Sequence, residues 1–317
     1  MLGAYILRVS SRPLDEMLLV PTPRRVEGLG GYASFGLGAR RDLAVARERD
    51  LANVAASLPN WIRARVVGAV CGSSAAKRQG YELTIAAATV EIESATPAGL
   101  GNALATLTQI FAQAEREGDV LVVPALRVVD WPTFATRGVM LDVSRDRVPT
   151  MRQLYETVEL LASLKLNHLQ LYTEHTFAYE GHEDVWSGWS PMTPDEVMRL
   201  DEYCRARGVE LAANQNCFGH LASWLRHPKY AHLAETHGEW VFDCWPRSGP
   251  FSLCPTDPKS IGLVEEMLGQ LLPCFQSGLV NIGCDETYDI AYGRSKEEVE
   301  RRGRASVYLD LLHKYVR

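Results

Sequence analysis

Residues 279–287 read Leu279-Val280-Asn281-Ile282-Gly283-Cys284-Asp285-Glu286-Thr287, an apolar run that passes through a glycine into two adjacent carboxylates. Its β-branched residues suit a buried strand. Acids just past the carboxyl end of a strand sit in the mouth where a parallel β/α scaffold binds ligands. Carboxylates so placed can move protons, although adjacent acids also occur in ordinary solvated loops. Cys284 beside them is open to two readings, a nucleophile or a small buried residue at a strand end, and the second is the plainer. Two other stretches carry chemistry-bearing side chains. Residues 173–191 hold His175, Phe177, Tyr179, His182, Trp186 and Trp189, and residues 217–256 hold Phe218, His220, Trp224, Tyr230, Trp240, Phe242 and Trp245. Flat apolar faces beside polar hooks suit a sugar ring, whose C–H faces stack while its hydroxyls form hydrogen bonds.

Those segments need elements to hold them. Gly138–Val143 reads as a continuous apolar strand apart from Asp142, and Thr150 with Gln153 caps a helix whose stripe is Met151, Leu154, Tyr155, Val158 and Leu161. A second strand, Leu169–Tyr172, precedes a helix opened by Thr193-Pro194-Asp195-Glu196 and stopped at Gly208. A third, Val209–Ala213, precedes a helix from Asp257-Pro258 to near Pro273, and the fourth carries the acid pair, followed by a helix over 306–316. Repeated βα units imply right-handed crossovers and a parallel sheet, hence a (β/α) barrel or a doubly wound sheet. The connections leaving the second and third strands are long and those entering strands short, which marks the functional face.

The pattern before Pro132 differs. Short strands at 63–70, 81–85 and 88–92 precede a helix over 98–113 with Leu100, Leu104, Leu107 and Phe111 on one face. Residues 1–125 are therefore expected to form a small α+β domain and 126–317 the N-terminal half of a (β/α)8 barrel, with a boundary in Pro124–Pro132. Gly28-Leu29-Gly30-Gly31 and Gly36-Leu37-Gly38 follow no strand of a βαβ unit, so they read as flexible turns and not as a phosphate loop. A complete barrel has eight βα units in about 250 residues. Only four are visible, so a missing C-terminal half or a partner chain is expected to complete the barrel, and the first and fourth strands would otherwise expose their edges.

Composition narrows the classes of function. At 46% hydrophobic and 23% charged over 317 residues, the chain can bury one large core or two smaller ones. A net charge of −6 without a basic run argues against nucleic acid as partner, and no apolar segment is long enough for a membrane. Met1-Leu2-Gly3-Ala4-Tyr5 lacks the charge and apolar run of a secretory signal. Seven cysteines, odd in number and without a Cys-x-x-Cys pair, suggest reduced thiols in the cytoplasm and no zinc site.

Four motifs resemble glycoside hydrolase family 20, the β-N-acetylhexosaminidases. The run from Asp130-Trp131-Pro132 through Arg137-Gly138-Val139-Met140-Leu141-Asp142-Val143-Ser144-Arg145 looks like that family's first barrel strand. Phe218-Gly219-His220 looks like its Gly-His after the third strand, and Gly283-Cys284-Asp285-Glu286 like its Gly-x-Asp-Glu after the fourth. Leu171-Tyr172-Thr173-Glu174-His175-Thr176-Phe177 is nearest the hexosaminidase D branch, and residues 81–111 look like the small domain that precedes the family's barrel.

The resemblance implies a retaining hydrolase of terminal N-acetylglucosamine or N-acetylgalactosamine that needs no metal or organic cofactor. Glu286 would be the general acid, its pKa raised by a closed site and acidic neighbours. Asp285 would hold the N–H of the substrate's acetamido group, whose carbonyl oxygen replaces an enzyme nucleophile. His220, backed by Glu174, would tune Glu286, and Arg137, Trp224 and Tyr172 would contact the N-acetylhexosamine-containing glycan. Gln170-Leu171-Tyr172-Thr173-Glu174 departs from the family's usual His-x-His-x-x-Asp, which leaves the choice of sugar open. Asp142 and Arg145 read as structural, fixing a turn. Two further readings stand beside this one: a non-catalytic carbohydrate-binding or scaffold protein, and a hydrolase holding a divalent metal between Asp142, Glu174, Asp285 and Glu286.

Overall fold

The computed structural model describes residues 14–47, 53–72, 74, 76–145 and 147–315, so the Met1–Tyr5 start lies outside the described residues. The chain forms two units. One comprises Met1–Gly138 with Tyr155–His168 and Tyr203–Val209, and the other Val139–Leu154, Leu169–Glu202 and Glu210–Arg317.

The first unit contains strands β1 (Arg25–Gly36), β2 (Ile62–Val66), β3 (Tyr81–Ala86), β4 (Thr89–Ser94), β5 (Glu115–Glu117) and β6 (Val120–Asp130), with helices α1 (Ala39–Arg47) and α2 (Pro97–Ala112). Its sheet runs β1-β6-β3-β4-β2, with β5 on β6. Alternation in β3 turns Leu83 and Ile85 inward. There they join the expected face of α2, Leu100, Leu104, Leu107 and Phe111, in one apolar core. Thr96 caps α2 by accepting the Gly99 N–H at 3.3 Å, and Pro97 occupies the first turn, where a missing N–H costs nothing.

Three expectations change in this unit. The glycines read as flexible turns lie in and beside β1, whose register against β6 shifts between Gly28 and Tyr32 while Gly30 and Gly31 take φ of 78° and 76°. That is a bulge, for which glycine is the usual residue. Pro124, read as a domain boundary, lies within β6 opposite Tyr32, where the register resumes; proline is tolerated in a sheet at such irregularities. The expected break at 125/126 thus falls inside a strand. β2 ends at Val66, short of the run to 70, because Gly68 turns the chain at φ 79°.

Beyond β6 come β7 (Gly138–Asp142), α3 (Met151–Ser163), β8 (His168–Tyr172), α4 (Glu183–Trp186), α5 (Pro194–Ala206) and β9 (Glu210–Asn214), of which Gly138, Tyr155–His168 and Tyr203–Val209 belong to the first unit and the rest to the second. The second unit continues with α6 (Ala222–Leu225), β10 (Glu239–Phe242), β11 (Trp245–Ser248), α7 (Pro258–Leu271), β12 (Val280–Asn281), α8 (Lys296–Arg302) and α9 (Arg304–Tyr315). The anticipated helix starts are present. Thr150 and Gln153 satisfy each other's backbone N–H groups, as do Thr193 and Glu196, and Asp257 accepts from Lys259. The main sheet runs β7-β8-β9-β12 in chain order, with β9 and β12 parallel and a parallel bridge between Thr173 and Gln215. A doubly wound sheet would reverse direction after its first strands, so the sequential order gives the first four βα units of a barrel. On the strands, Gln170 Oε1 accepts from the amides of Asn214 at 2.9 Å and Asn281 at 3.1 Å. The outer strands leave Val139, Met140, Leu279 and Val280 exposed. An antiparallel hairpin, β10–β11, folds the long segment after β9. Among the described residues no helix is long and apolar enough to cross a membrane.

Candidate active site

Three segments leaving β8, β9 and β12 supply the site in the second unit. Two glycines let them approach. A Cβ on Gly219 would lie 2.8 Å from the Asp285 carbonyl oxygen, and one on Gly283, at φ 47°, would lie 2.4 Å from Asn216 Oδ1. Past them, His220 and Glu286 themselves adopt φ of 60° and 53°. Left-handed backbone at non-glycine residues costs about 1–2 kcal/mol each and persists only where surrounding contacts enforce it.

His220 lies between two carboxylates. Its Nε2 is 3.1 Å from Glu286 Oε2 and its Nδ1 is 3.6 Å from Glu174 Oε1. Side-chain exposure is 43% at Glu286 against 10% at His220 and 12% at Glu174. The acid at the solvent end is therefore the one a ligand can reach. Rings of Phe251 at 4.8 Å and Tyr172 at 6.2 Å flank the imidazole edge to face. Glu174 is fixed from several sides. Its carboxylate accepts from Tyr172 Oη at 2.9 Å, its N–H donates to Ser144 Oγ at 2.7 Å, and its carbonyl accepts from Trp224 Nε1 at 2.8 Å and Gln215 Nε2 at 3.1 Å. Burial raises the Glu174 carboxyl above its ordinary range, opposed by the Tyr172 hydroxyl and His220. Burial, then Glu174, raises the Tyr172 phenol, keeping it a neutral donor.

Asp285, Glu286 and His220 each place one ligand atom within 4.8 Å of the others, a histidine and two carboxylates able to receive a substrate N–H, a proton or a divalent ion. The four-acid metal arrangement is not assembled among the described residues. Asp142 instead accepts the N–H groups of Ser144 and Arg145 at 2.9 and 3.0 Å and pairs with the Arg145 guanidinium, the structural role its position suggested. Arg145 also lies 4.8 Å from the centre of the Tyr172 ring. Burial, then Asp285, pushes the Cys284 thiol up to about 12, which favours the protonated thiol and suits the plainer reading of a small buried residue.

Three expected substrate contacts are placed differently. Trp224 is fully buried among Tyr179, His182 and Tyr230, and its indole holds the Glu174 carbonyl instead of facing a ligand. Tyr172 is 7% exposed, its ring enclosed by Arg145 and His220. Arg137, in the first unit, gives its guanidinium to the carbonyls of Phe134, Ala135 and Lys165, at 2.6–3.1 Å. No cue in the chain marked Ser144, Gln215 or Phe251 as supports of the line, because each acts through a partner distant in sequence.

Models of two domains of one family match this chain. Glycosyl hydrolase family 20, domain 2, matches residues 16–131, and the glycosyl hydrolase family 20 catalytic domain matches residues 172–316, which include Glu174, His220, Asp285 and Glu286. The chain belongs to glycosyl hydrolase family 20. Relatives of this chain include a beta-hexosaminidase of Emericella nidulans, 25% identical over 72% of this chain and 40% of its own length. Hexosaminidase D of Homo sapiens is 28% identical over 51% of this chain and 31% of its own length. The chitobiase of Flavobacterium johnsoniae superposes with a TM-score of 0.74 over 96% of this chain and 51% of that one; at 16% identity the likeness concerns the fold. This chain thus spans between 31% and 51% of the length of these relatives.

Proposed function

We propose that the site removes terminal β-linked N-acetylhexosamine from a glycan or glycoside, with retention, by a mechanism in which the substrate's own acetamido group is the nucleophile. The observation that carries this reading is the pairing of adjacent acids with a buried line of support behind only one of them. Glu286 alone contacts His220, which is backed by Glu174. Glu286 would donate its proton to the glycosidic oxygen as the bond from that oxygen to the anomeric carbon breaks. The acetamido carbonyl oxygen attacks the anomeric carbon, and Asp285 accepts the acetamido N–H, drawing charge from the developing oxazolinium ring. Glu286, now a carboxylate, takes a proton from the water that reopens the ring, and the anomeric configuration is retained through two inversions. A nucleophilic carboxylate would stand on the opposite side of the scissile bond from the acid; acids consecutive in the chain suit the substrate-assisted route. An N–H at Nε2 of His220 would stabilise the Glu286 carboxylate formed on proton release.

Hydrolysis of an aryl N-acetyl-β-hexosaminide by the protein and its Glu286→Gln variant tests this. The variant is expected to lose about 10²–10⁴-fold in kcat, most severely with poor leaving groups. Unchanged turnover across leaving groups would remove Glu286 from the acid role.

A further inference from the structure

Glu286 sits on a segment with almost no regular structure between β12 and α8, so its 3.1 Å contact with His220 must be set by side chains elsewhere. Two wholly buried carboxylates, Glu235 and Asp289, lie on the segments that carry these two residues. Asp289 follows Glu286 by three residues, and its Oδ2 accepts the Ser252 N–H at 2.9 Å. The carbonyl of that same Ser252 accepts the Glu235 N–H at 2.9 Å. The Glu235 carboxylate in turn receives Gly293 N at 3.2 Å, Ser295 N at 3.1 Å and Ser295 Oγ at 2.7 Å. Ser252 directly follows Phe251, whose ring packs 4.8 Å from the His220 imidazole and whose carbonyl holds Leu221 N at 2.9 Å. The Ser252 peptide is therefore gripped on its N–H side by the segment bearing Glu286, and it adjoins the ring that backs His220.

We propose that Asp289 is a positioning residue that sets His220 against Glu286 by clamping the Ser252 peptide, with Glu235 securing the far end of the same segment. The proposal rests on the reading of Glu286 as the acid. A carboxylate that merely stapled two loops would contribute stability and leave the imidazole's surroundings unchanged when removed. Clamping the neighbour of Phe251 makes a different demand, since the ring moves with the peptide and the imidazole moves with the ring.

Magnetic resonance of the ring nitrogens of isotope-labelled histidine, at neutral pH with chelator present, separates the two. His220 is assigned among the eight histidines through its own replacement. Asp289→Ala is expected to displace the His220 ring-nitrogen resonances. Asp289→Asn keeps an oxygen for the Ser252 N–H and is expected to restore them. A folded Asp289→Ala protein with wild-type His220 resonances overturns the proposal, whatever its loss of thermal stability. If that variant does not fold, Asp289→Glu decides in the same way, because its acceptor survives one carbon out of place. Glu286→Gln reports separately on the acid. Should it leave His220 unmoved, the contact between His220 and Glu286 fails, while the Asp289→Ala comparison still decides the clamp.

Discussion

Replacing Gly283 by alanine puts two separable strains into the turn that delivers the acid pair. The backbone there has φ 47°, which costs an L-residue about 1–2 kcal/mol. The new methyl would also lie 2.4 Å from Asn216 Oδ1 and 3.1 Å from Asn216 Cα, so a buried side chain held by its bond to the Thr173 carbonyl must move by about an ångström. Such overpacking costs about 1–3 kcal/mol. The sum for Gly283→Ala is about 2–5 kcal/mol. Asn216→Ala alone removes the amide's bond to Thr173 and leaves a small void at a fully buried position, with no partner lost at Oδ1, and should cost about 1–3 kcal/mol. In the double variant the obstructing oxygen is gone and the φ strain remains, so the two changes together should cost about 1–2 kcal/mol less than their sum. Guanidinium unfolding followed by tryptophan fluorescence, compared at unchanged m, measures all four corners. Additivity within about 0.5 kcal/mol would refute the assignment of the strain to Asn216 and leave φ alone as the reason for glycine.

Other outcomes follow from the same contacts. Trp224→Phe removes the donor to the Glu174 carbonyl and should lower stability by about 1–2 kcal/mol by thermal unfolding, with KM for an aryl N-acetylhexosaminide unchanged because the indole faces no ligand. Arg137→Ala should destabilise the first unit by about 1–3 kcal/mol, and Arg137→Lys should not restore it, since one ammonium cannot reproduce the fork that reaches three carbonyls. His175 is buried with neither ring nitrogen bonded, and burial, then Arg226, lowers its pKa from 6.5 to about 4. Between those values the unfolded chain binds a proton that the folded chain does not, so stability falls as pH drops from 6.5 towards 4. His175→Leu should flatten that part of the stability profile, and an unaltered slope would place the linkage elsewhere.

The parts of the fold legible in the sequence were those built by local chemistry. Thr150 with Gln153 and Thr193 with Glu196 cap helices because three-residue spacing suffices for the bond, and the α2 stripe follows from helical period alone. Elements governed by distant partners were less legible. β1 is rich in glycine and becomes a strand only because β6 supplies its ladder, and Pro124 looks like a terminator until the bulge opposite it is known. The site divides along the same line. Glu286 was marked by its place at a strand end, His220 and Glu174 only by the resemblance to family 20, and the three do converge. Trp224 and Arg137 are engaged by carbonyls, a pairing hidden from the sequence because residue type tells what a side chain can bind and not what it does bind. Asp289 gave no signal, since its partner Ser252 is 37 residues away.

The amides of Asn214 and Asn281 that meet on Gln170 act as a registration pin. Side chains alternate faces along a strand, so a slip of β9 or β12 by a single residue would carry its asparagine to the opposite face and strand the Gln170 oxygen. Sliding by two residues would restore the face but move the following loop by about 7 Å along the sheet. Gln170 is four residues before Glu174, Asn214 six before His220, and Asn281 five before Glu286. One shared oxygen thus levels three strands, and with them the heights at which the acid, the imidazole and its supporting carboxylate leave the sheet.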